Sequence, residues 1–319
     1  MDATDLTSRI LGGDRRALAL AITHVENNTE TGRAVQAGLY PRTGQAQTIG
    51  VTGSAGVGKS TLASVLAAEQ RARGRTVGIV AVDPSSPFSQ GAILGDRIRM
   101  QALTADGGVF LRSMASRGSL GGLSETTTGV VDLLDAAGYD IVLLETVGAG
   151  QDEVEVATAT QTTVLVTAPA AGDDVQVMKA GLMEIAQVMV INKSDLAGAD
   201  TTAQQLRALL SLAPAGRAWI PPIVKTVARA GDGAANLVDA IDQHQQHMRE
   251  SDHAGDERRA LVRSQIIALA RASLYREALT MAEREGILDG LAEQVAERRT
   301  DPRTAADTLL AAMRGEGAG

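Results

Sequence analysis

Apolar residues along the chain fall into two alternating patterns. From about residue 47, continuous runs such as TIGVTG, TVGIVAVD and YDIVLLET have the length and Val/Ile/Leu content of buried strands. Between them lie longer segments, such as TLASVLAAEQRARG and GVVDLLDAAG, with apolar residues at helical spacing. Continuous apolar strands separated by helices are typical of a parallel sheet covered on both faces. The pattern therefore predicts an α/β domain over residues 46–250, with a mostly parallel central sheet and helices on both faces.

Helical patterns without strand-like runs flank this domain. Residues 1–45 carry apolar positions at helical spacing and predict a helical N-terminal extension. Residues 251–319 carry two apolar stripes, at 262–278 and 288–295, among charges of both signs. Such a segment is either a solvated helical face or an oligomerisation arm. The first stripe has no sheet face of its own to cover, so we predict a homodimer held by this C-terminal arm.

Composition excludes several functional classes. Hydrophobic residues make up 44% of the 319 residues and charged residues 21%, as in folded globular proteins. Aromatic residues are only 2% and the net charge is −8, which disfavours stacking on single-stranded nucleic acid and general polyanion binding. No apolar stretch is long enough to span a bilayer, and the polar start does not resemble a signal peptide. We expect a cytoplasmic protein with no nucleic-acid or membrane partner and, since cysteine is absent, no disulfide or thiolate metal site.

One glycine-rich segment fits the P-loop pattern G-x-x-x-x-G-K-[ST]. It reads GSAGVGKST, directly after the strand TIGV and at the start of a helix, which is the context that a P-loop requires. Glycines let backbone N–H groups turn towards phosphate oxygens, and the helix N-terminus adds positive potential. In this pattern Lys59 reaches the terminal phosphates and Ser60 ligates Mg²⁺. The predicted phosphate site consists of Gly53, Ser54, Ala55, Gly56, Val57, Gly58, Lys59, Ser60 and Thr61.

A second motif predicts which base is bound. Asn192, Lys193, Ser194 and Asp195 follow the strand VMVI at its carboxyl end, where ligands of open parallel sheets bind. The Asp195 carboxylate can accept hydrogen bonds from guanine N1–H and the 2-amino group, whereas adenine offers neither donor. NKSD alone can also be an ordinary turn. Downstream of a P-loop it predicts a guanine nucleotide, GTP or GDP.

Acidic residues near strand ends are candidate ligands of Mg²⁺. Glu145 ends DIVLLE, and Gly148 follows where P-loop enzymes place a γ-phosphate-sensing glycine. Asp83 ends the strand GIVAV, and Asp96 lies within ILGDRIRM. The alternative for each acid is that it caps a following helix. Because magnesium prefers oxygen ligands, we expect Ser60, Asp83, Asp96 and Glu145 in the metal region, with Lys59, Asp96 and Glu145 serving catalysis.

Two histidines and the single tryptophan have structural interpretations. His244 and His247 form the segment HQQH on a predicted helix, without a third ligand candidate nearby. This predicts a solvated helical face and no metal site. Trp219, before Ile220, is expected to be a packing anchor under the last strand.

Together the motifs resemble one family, the MeaB/ArgK/MMAA GTPases, SIMIBI-class P-loop proteins that act as chaperones of adenosylcobalamin-dependent acyl-CoA mutases. The resemblance runs over nearly the whole chain. It rests on GDRRALALAIT, VDPSSPFSQGAILGDRIRM, SRGSLGGL, ETVGAGQDE, NKSD and PPIVKT, besides the P-loop. It implies a GTPase that dimerises through its C-terminal arm and binds methylmalonyl-CoA mutase or a close relative. Such a chaperone gates loading of adenosylcobalamin, which belongs to the partner, and protects or reactivates the mutase.

The resemblance also implies further site residues. Val227, Ala228 and Arg229 would form a second loop against the base, and switch segments would lie at residues 83–100, 146–155 and 169–179. In the third switch we expect coupling to the mutase, through Asp173, Asp174, Gln176 and Lys179. Lys179 is one of only four lysines among 30 basic residues, which points to a use for its compact charge. No arginine lies in the P-loop or directly after Glu145, so we expect slow intrinsic hydrolysis that the partner stimulates.

The chain departs from the usual family pattern at a few positions. Leu20 stands where arginine is expected, Val227 where serine is usual, and Ala170, Ala171 and Asp174 replace a more usual Gly-Ala and Glu. These differences leave the GTP motifs intact and concern the identity of the partner.

Other functions fit parts of the same motifs. A GTPase metallochaperone of hydrogenase or urease maturation shares them, but normally needs Cys or His clusters to carry nickel. A P-loop kinase would need an acceptor pocket and usually an arginine-rich lid, whereas NKSD and ETVG are features of switch GTPases. A structural interaction protein with a relic nucleotide site is disfavoured because Lys59, Ser60 and Asp195 are all present.

Overall fold

The computed structural model describes residues 1–83, 103, 105–115, 122–146, 152–169, 185–211, 218–250, 254–284 and 286–313. The chain divides into two compact units, Met1–Gln265 and Ile266–Gly319.

A parallel sheet forms the centre of the first unit. Among the described residues it has seven strands, in the order β3-β2-β4-β1-β5-β6-β7, and every neighbouring pair is parallel. The predicted α/β class with a parallel sheet is confirmed. The strands are β1 (Gln47–Thr52), β2 (Val77–Asp83), β3 (Val109–Ala115), β4 (Ile141–Thr146), β5 (Thr162–Thr167), β6 (Val188–Ile191) and β7 (Ile223–Lys225).

Helices cover both faces of this sheet because alternate strand residues point to opposite sides. Val51, Leu143 and Val164 pack with Leu66 and Leu237 on one face. Two helices cover that face, α4 (Lys59–Ala72) and α8 (Ala234–Glu250). Three helices cover the other face, α5 (Gly122–Ala136), α6 (Asp152–Ala159) and α7 (Ala199–Ser211).

The N-terminal extension forms part of the same core. It consists of α1 (Ala3–Leu11), α2 (Arg15–Glu26) and α3 (Glu30–Leu39), followed by a 3₁₀ turn (Tyr40–Arg42). Its apolar residues, among them Leu6, Ile22 and Leu39, pack with Leu134 of α5 in one buried cluster. The buried carboxylate of Asp135 joins the extension to β1 by accepting hydrogen bonds from three successive N–H groups, those of Gly44 (2.5 Å), Gln45 (3.1 Å) and Ala46 (2.8 Å).

Helix α2 also contacts the edge strand β3. The guanidinium of Arg15 donates to the carbonyls of Gly107 at 2.7 Å and Val109 at 2.5 Å. Further along the strand, Arg112 forms an ion pair with Glu26 of α2. Because an edge strand presents unpaired backbone groups, the bond from Arg15 to the Val109 carbonyl satisfies one acceptor of an otherwise open edge.

The second unit contains the end of α9 (Ala254–Arg284), with α10 (Ile287–Ala296) and α11 (Pro302–Met313). Several large apolar side chains of α9 are exposed in this structure: Ile266 at 60%, Ile267 at 54% and Leu274 at 60%. Across the described ranges, no helix combines the length and the apolar character needed to cross a membrane.

His244 lies inside the first unit, so the prediction of a solvated face is wrong for this residue. It continues the stripe of Leu237 and Ile241 on α8, and only 4% of it is exposed. Its Nδ1 lies 2.9 Å from the hydroxyl of Thr162, and the ring of Trp219 packs edge-on at 5.0 Å between centroids. Trp219 also donates to the carbonyl of Gln187 at 2.8 Å, so it contacts both α8 and the residue before β6. Its position under the last strand stays a prediction.

We expect His244 to make folding stability depend on pH. Burial, with a smaller contribution from the nearby His247, lowers the pKa of His244 from 6.5 to about 4. Between these values the unfolded chain binds a proton that the folded chain does not. The contribution of neutral His244 to the free energy of unfolding is therefore fully present above about pH 6.5. It falls by up to about 3 kcal/mol as the pH decreases to 4.

A His244→Asn variant separates this effect from other titrations. Burial raises the pKa of Asp132 to about 6, which favours the folded state at low pH, in the opposite direction. Asparagine keeps a polar group near the position of Nδ1 but does not titrate. Urea unfolding at pH 7.5 and pH 4.5 should show the stability gap between wild type and variant narrowing at the lower pH. A gap that stays constant would contradict the assignment.

Candidate functional site

The glycine-rich segment at residues 53–61 joins β1 to α4 at the carboxyl edge of the sheet. Gly53, Gly56 and Gly58 have φ values of +139°, +78° and +98°, which residues with a side chain rarely adopt. A Cβ at Gly53 would lie 2.1 Å from the carbonyl oxygen of Val166, and one at Gly58 would lie 2.5 Å from the amide nitrogen of Asn192. Glycine is therefore required at both positions by conformation and by space. The loop has the backbone freedom that a phosphate cradle needs.

Lys59 is the first residue of α4 and is 6% exposed. Its Nζ donates to the carbonyls of Gly53 at 2.6 Å and Ser54 at 3.0 Å. The ammonium group is thus held against the loop that would surround a phosphate. An anion entering this loop meets a charge that is already in place, and the lysine can exchange carbonyl partners for phosphate oxygens.

Ser60 and Glu145 bring two oxygen ligands together. The Ser60 hydroxyl donates to Oε1 of Glu145 at 2.5 Å. Glu145 is fully buried on β4, and its register partner is Val51, two residues before Gly53. A hydroxyl and a carboxylate beside the phosphate loop are the donor set that Mg²⁺ takes in nucleotide sites, so these two residues fit a metal bound with a nucleotide.

The structure describes only some of the remaining predicted site residues. Asp83 is the last residue of β2, two positions beyond Ala81, the register partner of Glu145. Its backbone is therefore at the same carboxyl edge as Glu145. Six predicted residues lie outside the described residues: Asp96, Gly148, Asp173, Asp174, Gln176 and Lys179.

The NKSD motif is joined directly to the phosphate loop. The buried Asn192 side chain donates from Nδ2 to the carbonyl of Val57 at 2.8 Å. The next residue, Lys193, has a positive φ of +56° and donates from Nζ to the carbonyl of Gly56 at 2.8 Å. Two successive carbonyls of the phosphate loop are therefore bound by two successive residues of NKSD.

The predicted second base loop lies beside the same asparagine. Oδ1 of Asn192 accepts from the backbone N–H of Ala228 at 3.0 Å and from the hydroxyl of Thr226 at 3.2 Å. The loop is closed by a backbone hydrogen bond from Val227 to Asp232 at 3.0 Å. In this loop Val227 is half-buried, Ala228 buried and Arg229 exposed.

Sequence reasoning missed Thr226. It is 1% exposed, its N–H donates to the carbonyl of Ile191, and its own carbonyl accepts from Ser194 at 3.0 Å. It therefore ties β7 and the base loop to the start of NKSD. The sequence feature that could have pointed to Thr226 is its position directly before the predicted base loop.

The Asp195 side chain is exposed where NKSD leaves the carboxyl end of β6. The phosphate loop, the Ser60–Glu145 pair and Asp195 thus follow or end β1, β4 and β6 at one edge of the sheet. This is the edge at which ligands of open parallel sheets bind. The arrangement can hold phosphates, a magnesium ion and a purine base along this edge.

Known proteins match this chain over most of its length. Residues 18–283 match the family model described as methylmalonyl Co-A mutase-associated GTPase MeaB. A protein of Pyrococcus abyssi named as a GTPase is 44% identical over 98% of this chain and 97% of its own length. A mouse protein named methylmalonic aciduria type A homolog, mitochondrial, is 31% identical over 97% of this chain and 79% of its own length.

A crystal structure described as a LAO/AO transport system kinase shares the fold. It has a TM-score of 0.71 and 24% identity, over 98% of this chain and 97% of that chain. The family match covers most of the chain, and these relatives span nearly all of it. This chain is a GTPase and belongs to the family of methylmalonyl Co-A mutase-associated GTPases, MeaB.

Proposed function

We propose that this GTPase is a chaperone of an adenosylcobalamin-dependent acyl-CoA mutase, methylmalonyl-CoA mutase or a close relative. The observation that supports the GTPase part of the proposal is the joined site, in which Asn192 and Lys193 bind the phosphate loop beside the Ser60–Glu145 pair. Membership of a family described as mutase-associated supports the choice of partner. In this role GTP binding and hydrolysis would gate adenosylcobalamin loading and protect or reactivate the mutase.

Each part of the site has a role in hydrolysis under this proposal. The backbone N–H groups of the loop and the ammonium of Lys59 would orient the phosphates, and Ser60 and Glu145 would hold Mg²⁺. Asp83, at the same edge of the sheet, and Asp96, which lies outside the described residues, remain candidate ligands from the sequence. Bound magnesium supplies charge neutralisation at the phosphate oxygens. Water attacks the γ-phosphorus while the bond to the β–γ bridging oxygen breaks, which gives GDP and phosphate. The protein contributes positioning and charge, and Lys59 would exchange its two carbonyl partners for phosphate oxygens.

No observation favours the metallochaperone alternative. The sequence contains no cysteine. Within the ranges that the structure describes, no group of three or more His, Cys, Asp or Glu residues is arranged to hold a metal ion.

Asp195 is proposed to select guanine. An Asp195→Asn substitution should weaken GTP binding by about 10⁴-fold, because the amide cannot accept both guanine hydrogen bonds. The same amide can accept from N1–H of xanthine and donate to its 2-oxo group, so xanthosine triphosphate should bind better to the variant. Isothermal titration of GTP, ATP and xanthosine triphosphate measures the change.

Asp200→Asn is the matched control, because Asp200 is an exposed acid five positions along that pairs with Lys225. It should leave the nucleotide preference unchanged. Comparable affinities of the unmodified protein for ATP and GTP would refute the role of Asp195.

Coupling to the mutase is proposed to run through Lys179. Candidate adenosylcobalamin mutases should increase the GTPase rate and tighten GTP binding, and GTP should tighten the mutase by the same factor, typically about 5–150-fold. Lys179→Ala should keep basal hydrolysis and reduce the stimulation. Lys225→Ala is the matched control, since Lys225 pairs with Asp200 outside this segment. Steady-state rates with and without each mutase decide the question, and an unchanged stimulation ratio in Lys179→Ala would remove this residue from the mechanism.

We further propose that residues 251–319 form a dimerisation arm whose occupant is a second copy of the chain. The exposed side chains of Ile267 and Leu274 are seven residues apart on α9 and share one helical face. An apolar face of this kind marks an association surface. The size of the apolar stripe and the resemblance to dimeric GTPases support self-association.

Light scattering tests the dimer. Wild type should have twice the mass of one chain, and the double substitution Ile267→Glu, Leu274→Glu should give monomers that still bind GTP. Leu20→Glu, at an apolar residue of α2 that is 40% exposed, is the control and should remain dimeric. A wild-type protein that is monomeric at micromolar concentration would refute the proposal that residues 251–319 form a dimerisation arm.

A further inference from the structure

Three threonine hydroxyls are buried without a hydrogen-bond partner in the described part of the chain. Thr52 is 0% exposed, Thr127 3% and Thr146 2%, and the Oγ1 atom of each makes no hydrogen bond there. Removing a hydroxyl from water without supplying a partner costs free energy, so protein interiors seldom contain such groups. Three of them in one region call for an occupant that can both donate and accept.

Thr52 and Thr146 lie side by side on adjacent strands. Val51 of β1 is the register partner of Glu145 of β4, and each threonine is the next residue along its strand. Their side chains point away from α4, because successive strand residues alternate and Glu145 contacts Ser60 of α4. Both hydroxyls therefore lie on the sheet face that α5 and α6 cover.

Thr127 reaches the same region from α5. This helix ends at the amino edge of the sheet, where Asp135 binds the residues before β1, so it begins near the carboxyl edge. Leu134 lies against Gly78 of β2, and Thr127 is two turns, or about 10.5 Å, closer to the carboxyl edge on the same helix face. That distance equals about three strand residues, which brings Thr127 to the level of Ala81, one residue before Val82, the register partner of Thr146.

We propose that these three hydroxyls bind buried water between α5 and the sheet, and that this water joins α5 to the two paired strands that carry the phosphate loop and Glu145. A hydroxyl both donates and accepts, and buried water typically makes about three hydrogen bonds. The three ligands are neutral, which suits water better than an ion. Thr52 directly precedes Gly53, and Thr146 directly follows Glu145. The water would thus act as a positioning element behind the nucleotide site, a role that rests on the function proposed above.

Valine substitutions distinguish a hydrated site from a dry one. Valine has nearly the shape of threonine without the hydroxyl. If water is bound, Thr52→Val, Thr127→Val and Thr146→Val each lower the melting temperature of the nucleotide-free protein, by about 2–4 °C. If the hydroxyls are dry, valine removes buried polar groups without partners, and the melting temperature stays the same or rises. The Thr→Ser variants keep the hydroxyl and should retain more stability than the valine variants.

Double substitutions test whether the three residues share the water. The effects of Thr127→Val and Thr146→Val should be non-additive, because the first removal already disturbs the shared water. Thr160→Val is the control partner, since the Thr160 hydroxyl donates to the carbonyl of Val156 within its own segment, and its effect should add to that of Thr146→Val. Additive effects within the threonine trio, or valine variants as stable as wild type, would overturn the proposal.

Two further measurements separate this inference from the proposed function. A crystal structure of the nucleotide-free protein should show ordered water within hydrogen-bond distance of the three Oγ1 atoms, whatever the GTPase does. Mg²⁺-dependent GDP affinity should fall in Thr146→Val and recover in Thr146→Ser. Density without water at this position would overturn the inference and leave the GTPase assignment untouched.

Discussion

The buried side chain of Asn192 is the interaction on which the candidate site depends. Its amide donates to the phosphate loop and accepts from the base loop and from Thr226, so all its contacts join segments distant in sequence. Leaving the buried donor or the buried acceptor of this amide without a partner would cost free energy. The two loops therefore hold their relative position before any nucleotide is present, and binding does not have to supply all of that order.

The sequence predicted the parts of the site whose chemistry depends on local spacing. The glycines of the phosphate loop, Lys59 and NKSD follow fixed intervals next to strand-like runs, and the fold class follows from the alternation of strands and helices. What the sequence did not reveal depends on contacts between distant residues. Thr226 is an ordinary threonine until β7 brings it against Asn192, and His244 looks polar until its helix face packs under Trp219.

The N-terminal extension shows the same limit. Helical spacing predicts its helices, and the caps Asp2, Asp14 and Thr29 follow the usual preferences for helix starts. Its attachment to the first unit depends on the Asp135 carboxylate and on Arg15, which contact backbone groups about 90 residues away. Backbone partners leave no trace in the residue pattern, so only the structure shows that the extension and the GTPase fold share one core.

The contact of α2 with β3 has a consequence for how copies of this protein can meet. A parallel sheet ends at two edges, and an open edge can accept a strand from another molecule. At one edge Arg15 occupies backbone carbonyls and Arg112 pairs with α2, and at the other β7 is only three residues long. The sheet is thereby a poor template for strand addition. A chain that lost α2 would leave the Val109 carbonyl of β3 open to a strand of another molecule.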